Sequence, residues 1–111
     1  MRRLAVSVAD VREIIDESIT LLKNQGAETE YPGQLSKLES VRSVLIRNEK
    51  KIWLRTKKGQ VVLADVSAAA DRLKEALASD YVDVIEGNLV EVEALVNAIE
   101  EESRKRSMVV T

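Results

Sequence analysis

The chain contains no cysteine, no histidine and no phenylalanine. Without Cys and His the usual ligands of zinc, copper, haem and iron–sulfur centres are missing. So are disulfides, Ser-His and Cys-His nucleophile pairs and the common proton shuttle of neutral pH. One Pro and four Gly in 111 residues leave little turn chemistry, and one Trp with two Tyr leave burial to Val, Leu, Ile and Ala. No apolar run approaches the roughly 20 residues of a membrane span. The apolar stretch after Met1-Arg2-Arg3 ends at Asp10, too short for a signal core, so the N-terminus reads as mature protein. Only seven Asn and Gln accompany 32% charged residues, a composition that leans towards heat-adapted proteins. No spaced acidic signature for Mg²⁺ is present and no pair of reactive groups is placed together, so no enzyme, cofactor, metal or small-molecule substrate is expected.

What is present is the makeup of one globular domain over residues 1–111, 45% hydrophobic. The expected fold is mainly α, a small bundle of about four helices with one central β-hairpin. The alternative is an α+β fold with extra strands at 3–8 and 81–86. Val11, Ile14, Ile15, Ile19 and Leu22 recur at helical spacing. Asp10 with Glu13 forms a capping box and Gly26 stops the helix; a second possibility is that Ser7 caps a helix from Val8. Tyr31-Pro32-Gly33-Gln34 reads as a turn. Ser36 with Glu39 then opens a helix carrying Leu38, Val41, Val44 and Leu45, ending near Asn48.

The β signal follows. Ile52-Trp53-Leu54-Arg55-Thr56 and Val61-Val62-Leu63-Ala64-Asp65 flank Lys57-Lys58-Gly59-Gln60, which predicts a hairpin. A single helix from Ser36 to Thr56 competes with it. Ser67 is the expected cap of a helix over 68–79 with Leu73, Ala76 and Leu77 inward. In the last segment Tyr81, Ile85, Asn88, Val92, Leu95 and Ile99 follow the alternating four-and-three step of a heptad. This stripe serves either intrachain packing or an oligomer interface. Gly87-Asn88 either breaks the helix as a turn or leaves Asn88 at a core position.

Charge is segregated. Residues 42–58 hold seven bases and one acid, whereas residues 75–102 hold nine acids and no base, within a net charge of −2. Arg47, Lys50, Lys51, Trp53, Arg55, Lys57 and Lys58 are the candidate binding residues. On a strand, Lys51, Trp53, Arg55 and Lys57 would share one face, bases around an aromatic that stacks on a nucleobase. The plainer reading is a solvated face, and a third is that the acidic segment meets the basic one, in the same chain or a partner subunit. Two functions follow. The first is a non-enzymatic, cytoplasmic adaptor or assembly protein that docks on a protein partner or itself through the last helix and the hairpin. The second is a DNA- or RNA-binding accessory factor of low sequence specificity using residues 42–58.

Overall fold

The computed structural model describes residues 6–24, 32–79 and 82–109. These form four helices, α1 (Val8–Asn24), α2 (Pro32–Arg47), α3 (Lys57–Ser79) and α4 (Val82–Val109). A short 3₁₀ helix, η1 (Ile52–Arg55), lies between α2 and α3. No strand occurs among the described residues, so the expected central hairpin and the strands at 3–8 and 81–86 are corrected. Val8 and residues 82–86 are helical, while residues 3–5, Gly26, Tyr31 and Tyr81 lie outside the described residues.

Each correction has a local cause. At the N-terminus Ser7 and Asp10 exchange hydrogen bonds: the Ser7 N–H donates to Asp10 Oδ2 at 3.0 Å and the Asp10 N–H to Ser7 Oγ at 3.1 Å. This reciprocal cap starts the helix at Val8 and replaces the Asp10–Glu13 box. α2 begins at Pro32 and not Ser36, because the fixed φ of Pro and its missing N–H suit the first helical position. The 52–65 segment fails as a hairpin because Trp53 and Leu54, neighbours in sequence, are both buried; a strand would point them to opposite faces. Thr56, not Ser67, then caps α3. Its Oγ1 accepts the Gly59 N–H at 3.2 Å and its carbonyl accepts from the Gln60 N–H at 2.9 Å. Val61-Val62-Leu63 is β-rich in type, yet Leu63 opens a buried stripe with Val66, Ala70, Leu73 and Leu77 in steps of three and four. Burying each large aliphatic side chain there contributes roughly 1.5–3 kcal/mol, which outweighs the weak strand preference of two valines.

α4 runs through Gly87-Asn88 without a break. One helical glycine costs about 1 kcal/mol, and the buried row Ile85, Leu89, Val92, Val96, Ile99 exceeds that several-fold.

Ion pairs and side-chain bonds fix the helix directions. Arg12 meets Glu49 and Arg42 meets Asp16, so α1 and α2 are antiparallel. Arg72 meets Glu91 and Lys58 meets Glu102, so α3 and α4 are antiparallel. α1 also packs on α3 and α2 on α4. Val6–Gln60 and Glu17–Lys74 contacts make the first pair parallel. The second is parallel too, with Gly33 and Lys37 near Glu86 and Val90 at one end and Asn48 on Glu100 at the other. The ring order is therefore α1–α2–α4–α3, and the segment 48–56 carries the chain across the diagonal at one end of the bundle. The molecule measures 47 × 37 × 19 Å, two helix layers thick.

Candidate interaction surface

The diagonal crossing gathers the basic residues. Arg47 ends α2, Lys50 and Lys51 lie in the following turn, Arg55 ends η1, and Lys57 and Lys58 open α3. The last turns of α4 bring Arg104, Lys105 and Arg106 to the same end. All nine side chains are exposed, and Lys50, Lys51, Arg55, Lys57 and Lys105 make no ion pair among the described residues.

Trp53 is not part of that exposed surface. It is 7% exposed, its indole N–H donates to Ser103 Oγ at 2.8 Å, and the Arg106 guanidinium lies over its ring, 5.0 Å from the centroid. The expected face of Lys51, Trp53, Arg55 and Lys57, with an aromatic ready to stack on a base, is therefore corrected: the ring belongs to the core. A 3₁₀ helix has three residues per turn, so its i and i+3 side chains eclipse. Ile52 and Arg55 accordingly share the outer edge of η1 while Trp53 and Leu54 face in. Ile52 is 79% exposed, the most exposed large hydrophobic side chain among the described residues.

Carboxylates interleave with the bases. Glu100 meets Arg47 at 3.5 Å and accepts from Asn48 Nδ2 at 2.6 Å. Glu102 meets Lys58 at 3.8 Å and accepts from Arg106 at 2.9 Å. Among the described residues the acidic run of α4 thus meets the basic segment within the chain through its C-terminal turns. Such exposed pairs are worth about 0–1 kcal/mol each; their effect is to dilute the positive field. Farther along the bundle, the Glu17 carboxylate accepts a hydrogen bond from Lys74 at 2.6 Å and holds that ammonium's pKa above the ordinary lysine value.

Two polar side chains hold the crossing in place. Asn48, 1% exposed, donates back to the Val44 carbonyl at 2.8 Å as well as to Glu100. Gln60 pairs with both backbone groups of Val6, accepting from its N–H and donating to its carbonyl at 2.9 Å, and also donates to the Leu54 carbonyl. Between the start of α1 and η1 this leaves a cleft of ≈ 340 Å³. Val6, Val8, Leu54 and Leu63 give it an aliphatic lining, and Lys51, Arg55 and Glu49 stand around it.

The stripe expected to form an oligomer seam is largely interior. Ile85, Val92 and Ile99 are buried in the bundle, Asn88 and Leu95 are half-buried, and Tyr81 lies outside the described residues. Leu89 and Val96 occupy the core positions assigned to Asn88 and Leu95, and Asn88 Nδ2 bonds its own helix at the Val84 carbonyl, 2.8 Å away. Gln60, Ile52 and Gly59 were missed as site-forming residues. Thr56, three residues before Gly59, is the sequence signal for the start of α3 on which Gly59 and Gln60 lie.

No cluster of potential metal ligands occurs among the described residues, and no helix there is long and apolar enough to cross a membrane. Comparison with protein-family models, curated proteins and solved structures finds no match for the chain.

Proposed function

We propose that this protein is a non-enzymatic interaction module that docks an acidic protein partner through the basic end of its bundle. The observation that carries the reading is the convergence there of bases from α2, η1, α3 and α4, five of them without an ion pair among the described residues, around the exposed Ile52. An apolar anchor rimmed by charge is the usual anatomy of a protein-binding patch. Steering by the field raises the encounter rate, and the anchor supplies the hold.

Two features favour an acidic protein over nucleic acid. The lone tryptophan is engaged by Ser103 and Arg106, so it offers no stacking platform. Glu100, Glu101 and Glu102 stand among the bases, which repels a continuous phosphate backbone more than a partner with discrete carboxylates.

Fluorescence anisotropy of a labelled oligoglutamate peptide and of a random-sequence single-stranded DNA tests this. The expected result is peptide binding that weakens with salt and is lost in the Lys50→Glu/Lys51→Glu/Arg55→Glu/Lys57→Glu protein. Tighter binding of the DNA than of the peptide, or peptide binding unchanged in the variant, overturns the reading.

A further inference from the structure

We infer that the cleft between the start of α1 and η1 receives an aliphatic side chain of the partner's acidic segment, with flanking carboxylates on Lys51 and Arg55. The inference rests on the proposed docking role and assigns the chemistry of the segment that binds.

The lining is the first ground. Val6, Val8, Leu54 and Leu63 are aliphatic, and a cleft of ≈ 340 Å³ exceeds the volume of one leucine side chain. Its polar elements are already engaged: both Val6 backbone groups are held by Gln60, the Ser7 N–H and hydroxyl by Asp10, and the Glu49 carboxylate by Arg12 at 3.5 Å. An apolar guest therefore strands no polar group when it enters. The second ground is charge complementarity at the mouth. Lys51 and Arg55 line the cleft, are exposed and make no ion pair among the described residues. A guest chain with carboxylates on either side of its aliphatic residue meets both.

The neighbouring groove between the ends of α2 and α4 differs. It is lined by Arg47, Asn48, Lys51, Glu100, Ser103 and Arg104, so it offers an aliphatic guest no apolar wall. The groove beside Lys74 is lined by Glu13, Asp16 and Glu17 and repels the same guest. The α1–η1 cleft combines the aliphatic lining with unpaired bases.

The probes are a fluorescein-labelled oligoglutamate peptide with one central leucine and its counterpart with serine in that place. The wild-type protein is expected to bind the leucine peptide roughly tenfold or more tightly than the serine peptide, the gain of burying one leucine. Val6→Trp, which fills the cleft from a half-buried position ahead of α1, is expected to abolish that preference. Methyl resonances of Val6, Val8, Leu54 and Leu63 in the wild-type protein are expected to shift with the leucine peptide and not with the serine peptide. This readout stands even if the tryptophan variant folds poorly. Equal binding of the two peptides to wild type, or methyl shifts absent with the leucine peptide, overturns the inference and leaves the basic-end reading intact. Failure of both peptides to bind the natively folded protein overturns both. A leucine-dependent concentration series that instead shows a second copy displacing the peptide assigns the cleft to self-association and overturns the inference.

Discussion

Gly59 is the residue on which the crossing is built, and replacing it with alanine measures how tightly η1 lies on α3. A Cβ placed on Gly59 falls 2.2 Å from the Trp53 carbonyl oxygen and 2.4 Å from Leu54 Cα. Real Cβ contacts essentially stop at 3.0 Å, so the backbone of η1 must lift by at least 3.0 − 2.2 = 0.8 Å. Overfilling a packed site of this kind costs about 1–3 kcal/mol. The lift also loosens the Trp53–Ser103 bond and leaves a buried indole N–H short of its partner, adding roughly 1–3 kcal/mol. Against this, alanine in a helix gains at most about 1 kcal/mol over glycine. The net expectation is a loss of about 3 kcal/mol, a large part of the stability of a small domain. Gly87→Ala is the matched control: it is exposed, within α4, and meets nothing within 4 Å, so it is expected to stabilise by about 0.5–1 kcal/mol. Urea unfolding followed by the fluorescence of the sole tryptophan, and independently by circular dichroism, compares the two. A Gly59→Ala protein as stable as wild type refutes the close approach of η1 to α3 and with it the geometry of the basic end.

Leu89→Ala is expected to cost about 2–5 kcal/mol in chemical denaturation and Leu95→Ala clearly less, since Leu89 is buried and Leu95 only partly so; equal costs would restore the original heptad register. Asn48→Asp sets a carboxylate against Glu100 in a buried site and is expected to destabilise by about 2 kcal/mol or more near neutral pH. The like charge raises the new group's folded pKa above its unfolded value, so the penalty shrinks as pH falls through that raised pKa, and denaturation at acid and neutral pH gives the sign. Ser7→Ala removes the cap of α1 and is expected to cost about 1 kcal/mol, seen as a lowered urea midpoint with unchanged slope.

The helices were legible wherever a single stripe faced a single core. Leu38, Val41, Val44 and Leu45 of α2 and Leu73, Ala76 and Leu77 of α3 are buried as their spacing predicts. The 52–65 segment is not legible as helix from local windows, because the β preference of Ile52–Thr56 and Val61–Asp65 is overridden by residues distant in sequence. Trp53 is buried by Ser103 and Arg106, some fifty positions away, which no local window contains. Gly59 looked like a turn residue, whereas its lack of a side chain serves a contact between two helices. In α4 the register slipped because Tyr81 and Asn88 fit a four-and-three step as well as Leu89 and Val96 do; tertiary packing alone separates them. The charge segregation is fully visible, but its sharing between Glu100, Glu102 and the bases needs the parallel pairing of α2 with α4 and the antiparallel pairing of α3 with α4.

The diagonal crossing also bears on how the chain folds. The bonds that hold it, Val6 to Gln60, Asn48 to Glu100 and Trp53 to Ser103, join residues 54, 52 and 50 apart. The pairs within each antiparallel hairpin are nearer: Asp16–Arg42 spans 26 residues and Arg72–Glu91 spans 19. Closing long loops early is entropically unfavourable, so the expected order has α1–α2 and α3–α4 condensing first and η1 seating last, as they dock. The cleft and the clustered bases come into being at that final docking step, so a half-folded chain does not carry them.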